Sequence, residues 1–231
     1  MRRNPSAAFT LLEMMTVIAV IVILTGLVLN IAGYAQRKGA LARATGEIQM
    51  ISAACESYKA DNGNYPREVL TSGTGSTDLL SPKQHFSPVS GTYTNASLFL
   101  YKELSGDKTG ANGSGLPDGV PDAGEQRYFK ELDPRILNVK RDANKAITGV
   151  NYIQDPFGFS YGYSTAAAQK EQDFQQKLKL GQSATRPTGN AMPGFNPGSF
   201  DLWSTAGGNT TSSPTSDAAM ALQWAKWAKN W

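Results

Sequence analysis

The hydrophobic pattern of the chain changes once, near residue 36. From Phe9 to Ala35 the run is apolar on every side and Glu13 is its single charge. Beyond it the apolar residues narrow to a stripe, with Leu41, Ala44, Ile48, Ile51, Cys55 and Tyr58 recurring at spacings of three and four. Both patterns suit one helix running to about Ala60. At about 1.5 Å per residue the first part reaches roughly 40 Å, so residues 9–35 read as a transmembrane helix. The second part is amphipathic and is expected to pack under a globular head. Asp61-Asn62-Gly63-Asn64-Tyr65-Pro66 then ends the helix, because Asn and Gly accept the left-handed conformation and Pro cannot continue it.

The head mixes short helices and strands. Residues 71–94, rich in Gly, Ser, Thr and Pro, read as a surface loop, followed by a helix over 97–104 capped by Asn95, with Leu98, Tyr101 and Leu104 inward. Residues 106–125 form a Gly-rich loop carrying Asp107, Asp118, Asp122 and Glu125, and Thr109 and Ala111 stand where a calcium loop would place ligands, so it reads as a solvated acidic loop. Tyr152-Ile153, the turn Asp155-Pro156-Phe157-Gly158 and the alternation Phe159, Tyr161, Tyr163 predict a hairpin. A helix over 166–180 and a strand over 200–204 follow. The last segment, 217–231, reads as a helix whose stripe Met220, Trp224, Trp227 and Trp231 packs onto the chain's own sheet. The fold class is therefore α+β, a long N-terminal helix packed on a small antiparallel sheet.

Composition narrows the function. In 231 residues the formal charge is +3, and removing Arg2 and Arg3 leaves +1, a balance that gives no footing for a nucleic-acid partner. The single cysteine, Cys55, excludes an internal disulfide and sits on the buried stripe, so it packs rather than reacts. The single histidine, His85, lies in a polar loop with no Ser or Cys motif beside it, and there is no phosphate loop or zinc-ligand cluster. A membrane-anchored periplasmic enzyme therefore has no candidate machinery. An ordinary secretory signal, cut after Gly33-Tyr34-Ala35, would need an apolar core of only about 7–15 residues, and the run is longer and opens with Glu13.

Glu13 is the residue that asks for an explanation. A carboxylate at the mouth of a membrane helix needs a partner, and no Lys or Arg lies within one helical turn. Cutting the basic leader, residues 1–8, between Ala8 and Phe9 would create an amine four residues from Glu13 on the same helical face, in cis or in a neighbouring subunit.

Arg2-Arg3 followed by Phe9-Thr10-Leu11-Leu12-Glu13-Met14 and an unbroken apolar helix resembles the class III signal of type IV pilins and type II secretion pseudopilins. Tyr58 to Pro66, and the run Asp155 to Tyr163, Phe200 to Ser204 and Gly207-Gly208-Asn209, resemble the helix exit and head of major pseudopilins. The resemblance implies that prepilin peptidase cuts between Ala8 and Phe9 and methylates Phe9, and that Glu13 steers assembly. This sequence has Ala8 where the family usually has Gly, and Asn30 where it often has Pro. The implied organisation is a leader (1–8), a transmembrane and assembly helix (9–35) and a periplasmic head (36–231), anchored in the inner membrane. The implied partners are further copies of the chain and minor pseudopilins, the secretion platform and an assembly ATPase. The resemblance also implies calcium after the last strand, for which Asp217, Asn209 and Ser213 are the candidate ligands. A surface type IV pilus subunit, serving attachment, twitching or DNA uptake, is the alternative; many adhesive pilins close a C-terminal loop with a disulfide, which a lone cysteine cannot form.

Overall fold

The computed structural model describes residues 10–70, 73–110, 117–129, 133–208, 214 and 216–231, without the side chains of 27–32, 69–70 and 73–74. The fold is α+β and divides into two compact units, Met1–Ala40 and Leu41–Trp231. Helix α1 (Leu11–Asn62) supplies residues to both. It runs two residues past the expected end, where the Asn62 side chain donates to the Tyr58 carbonyl at 2.9 Å and the Gly63 N–H to Lys59 at 2.8 Å.

In the first unit the described side chains from Leu11 to Gly26 are exposed on every side of the helix. Among the described residues, no helix is long and apolar enough to cross a membrane. The stretch Leu11–Gly26 is shorter than the ~20 residues a bilayer core requires. The expected span, 9–35, also needs Phe9 and residues 27–32, which lie outside the described side chains.

The second unit follows the stripe on α1. Ala44, Ile48, Ile51 and Cys55 are buried, with Leu41 and Tyr58 half-buried at either end. After α1 come β1 (Val69–Leu70), β2 (Gly73–Thr74) and the short helix α2 (Ser76–Leu79), so the described part of the expected surface loop, 73–94, holds regular elements. Helix α3 (Gly91–Ser105) begins six residues before the expected start, and Ser90 takes the capping position foreseen for Asn95. The pattern concealed this because Thr92, Thr94 and Asn95 carry no apolar signal, although Tyr93 and Ala96 are fully buried.

Strands β3 (Leu137–Arg141) and β4 (Ile147–Ile153) form an antiparallel ladder with two register shifts. The turn after β4 forms as expected, with the Gly158 N–H donating to the Asp155 carbonyl at 3.0 Å. The hairpin it closes is a single bridge, Gln154 with Ser160, rather than a ladder. β5 (Gly162–Ser164) instead pairs with β6 (Asp201–Ser204), across the insertion holding α4 (Ala166–Lys179). Tyr161 and Tyr163 are buried, but so are the small residues alternating with them, so both faces of this strand are covered.

The predicted C-terminal helix is the main correction. Helix α5 (Asp217–Trp224) stops early, and the chain returns as β7 (Ala228–Lys229) on the free edge of β6, giving the order β5-β6-β7. A helix through Trp231 would leave that edge unpaired. The aromatic residues do pack on the chain's own sheet: Trp227 stacks on Trp203 at 6.1 Å and Trp231 meets it edge-on at 5.9 Å. Gly162 makes room for Trp203, since a Cβ there would lie 2.3 Å from the indole ring.

Asp201 ties this sheet to the loop before it. It is 1% exposed, and its carboxylate accepts the N–H groups of Phe195 at 2.9 Å and Asn196 at 3.0 Å. Gly194 leaves space for the carboxylate, because a Cβ there would sit 2.0 Å from Oδ2. Burial pushes the acid up to about 6 from 3.8, against the opposing N–H bonds and Lys83. Between those values the folded chain holds a proton that the unfolded chain has lost, so this group's contribution to stability falls as pH rises through the window. Comparing Asp201→Asn with the parent by chemical unfolding should show the parent losing stability relative to the variant on the order of 2 kcal/mol between about pH 4 and pH 6. A difference that does not change with pH would contradict this.

Candidate functional site

The first turn of α1 carries the residue that the sequence singles out. Thr10 precedes the helix and Glu13 is its third residue. The Thr10 N–H and hydroxyl both donate to Glu13 Oε2, at 2.8 and 2.9 Å, and the Glu13 N–H donates back to the Thr10 hydroxyl oxygen at 3.2 Å. This is a capping box, in which two residues satisfy helix-start donors reciprocally. The carboxylate also lies where the helix dipole favours negative charge. Glu13 therefore has hydrogen-bond partners within its own turn, in addition to any amine that cleavage would create. The signal was present as Thr10-Leu11-Leu12-Glu13, the S/T-x-x-E pattern.

Ala8 and Phe9 lie outside the described residues. On both sides of Glu13 the exposed side chains include Leu11 at 78%, Leu12 at 72% and Val22 at 64%. A helix that exposes apolar groups on all sides is stable only in contact with lipid or other protein.

The other candidate residues lie in the head. Of the three expected around calcium, Asn209 and Ser213 lie outside the described residues. Asp217 is exposed in the first turn of α5, beside Ser216, whose hydroxyl caps the Ala219 N–H at 3.3 Å. Among the described residues no three His, Cys, Asp or Glu side chains gather as a metal site. Asp217 alone does not make one, since calcium takes about six to eight oxygens.

The acidic loop differs from the solvated loop expected. Asp107 is fully buried and accepts the Tyr101 hydroxyl at 2.8 Å and the N–H groups of Asp118 at 3.1 Å and Gly119 at 2.7 Å. Asp122 accepts the N–H groups of Lys108 and Thr109 at 3.0 and 2.9 Å. These two carboxylates bind backbone amides of their own loop rather than standing free in solvent.

Cys55 is buried and free, and burial pushes its thiol well above the ordinary range, which disfavours the reactive thiolate. His85 Nδ1 accepts the Ser81 N–H at 3.1 Å and its carbonyl accepts the Tyr93 hydroxyl at 3.0 Å, so it holds the turn between α2 and α3.

Residues 3–29 match the family model described as the prokaryotic N-terminal methylation motif. No curated protein and no solved structure matches the chain. The motif marks the N-terminal segment as a prepilin-type signal of the type IV pilin-like kind.

If the capping box forms the start of α1, Thr10→Val should speed hydrogen exchange of the Glu13 amide in micelles several-fold, and Thr10→Ser should preserve its protection. Equal protection in Val and Ser variants would contradict the box.

Proposed function

We propose that the protein is a structural subunit of a filament assembled from the inner membrane, and that the filament is the periplasmic pseudopilus of a type II secretion system. The observation that carries this reading is the methylation motif over residues 3–29. The physical arrangement at the start of α1 supports it. The exposed apolar surface from Leu11 to Gly26 needs lipid before assembly and neighbouring subunits after it.

In this account the uncleaved chain waits in the membrane with its leader cytoplasmic and its head periplasmic. Prepilin peptidase cuts between Ala8 and Phe9, and the new amine, to be methylated, appears on the residue bonded directly to Thr10. Thr10 already turns Glu13 Oε2 back toward the helix start. The carboxylate is thus oriented toward the end of the chain where the cation is created. In a filament the amine of the same or an adjacent subunit pairs with Glu13, replacing interactions that lipid cannot offer. An assembly ATPase and the membrane platform extract each subunit into the growing polymer.

The pseudopilus is preferred over a surface pilus because the lone, buried Cys55 cannot close a C-terminal disulfide loop and because of the Asp155–Gly158 turn followed by strands. Glu13→Leu should leave membrane insertion intact and reduce filament yield at least several-fold; undiminished yield would contradict the assembly role. In a deletion strain, secretion should fail, whereas normal secretion with lost surface fibres would assign the filament to a surface pilus.

A further inference from the structure

We propose that the cleft between the end of α1 and helix α4 binds an oligosaccharide, a function that goes beyond filament assembly. The cleft has a volume of about 890 Å³ and lies wholly within the Leu41–Trp231 unit. That volume suits a ligand of several sugar rings, since ligand sites commonly enclose ~300–1,000 Å³. One wall is the last turns of α1 and the chain to Tyr65, the other is one side of α4, and Pro197-Gly198 completes the rim.

The lining chemistry points to hydroxyl groups. Helix α4 places Gln169, Gln172 and Gln176 at i, i+3 and i+7, which brings them to one face. Among the described residues, the side-chain amides of Gln172, Gln176 and Asn64 have no partner. Gln169 donates through Nε2 to Asp173 at 2.6 Å, and its buried Oε1 accepts from no donor. An amide both donates and accepts, and a sugar hydroxyl does the same, so a row of free amides is complementary to a polyhydroxylated chain.

The charges in the walls are already occupied. Glu171 pairs with Arg186 at 2.9 Å and Arg67 with Asp78 at 2.7 Å. Lys59 lies 4.3 Å from the Tyr65 ring centroid and donates to its hydroxyl at 3.2 Å. Lys179, at the end of α4, is left as the one lining cation without a partner among the described residues. A nucleotide or a nucleic-acid strand needs several converging cations, which this arrangement does not offer. A peptide held by its side chains needs pockets for large apolar groups, and among the described lining residues there is no Val, Leu, Ile, Met, Phe or Trp to build them. The Tyr65 ring, held edge-on to Phe200 at 5.0 Å and capped by Lys59, makes that wall rigid before any ligand arrives.

The test uses the full-length protein in micelles of a detergent without a sugar headgroup, with chitotetraose, cellotetraose and a Gly-Ser tetrapeptide followed by ligand-observed NMR and calorimetry. At least one tetrasaccharide should bind with millimolar or tighter affinity. Gln172→Ala/Gln176→Ala, at exposed positions, should weaken it about tenfold with the thermal midpoint unchanged. Absence of binding by both sugars, binding that is equal in the double variant, or equally tight binding of the peptide would each overturn the proposal.

Discussion

Ala44, Ile48, Ile51 and Cys55 lie on one line of α1 and are at most 2% exposed. The core of the head gathers on that line: Leu100 and Leu104 of α3, Val150 and Ile153 of β4, Tyr163 of β5 and Leu202 of β6. Each sheet is short, and a two- or three-stranded sheet buries little surface by itself. The helix stripe lets these small pieces share one apolar interior. A change that opened a cavity there, such as loss of the Ile51 side chain, would reach both β3-β4 and β5-β6-β7, since their residues belong to one buried cluster.

The same helix carries two surfaces with different physical demands. From Leu41 the apolar stripe of Ala44, Ile48, Ile51 and Cys55 faces inward and is satisfied within the chain. From Leu11 to Gly26 they face outward on all sides and are satisfied only by something else. The capping box at Thr10 and Glu13 starts the helix next to the site where the leader is proposed to be cut. A carboxylate there serves the helix terminus, and under the proposed cleavage it would also be placed to meet the new amine. In the proposed filament both anchoring and polymerisation would draw on this one segment, and the amide-lined cleft beside α4 lies in the other unit.

The legible parts of the sequence were those governed by local periodicity. The stripe Leu41 to Tyr58, the Asp155–Gly158 turn and helix α4 all follow from residues close together in the chain. What was hidden depends on distant partners. The segment after Trp224 has helical spacing of its Trp residues, yet an open edge on β6 draws Ala228 and Lys229 into a strand. The early part of α3 looks polar because its buried members are Tyr93, Ala96 and Ser97 rather than aliphatics. Asp107 looks like a surface acid until the chain folds its own amides around it. At the N-terminal site Glu13 is conspicuous as a lone charge, and its immediate partner, Thr10, is a neutral residue that a search for opposite charge does not find. A neutral hydroxyl and a backbone N–H answered part of the same need.

The central claim is that Glu13 stands beside an amine created by cleavage before Phe9. The most direct measurement is the intact mass and N-terminal sequence of the protein recovered from cell envelopes. The account predicts a chain lacking Met1 to Ala8, beginning at Phe9 and carrying one additional methyl group. A chain that retains the leader, or that begins after Ala35, would contradict it.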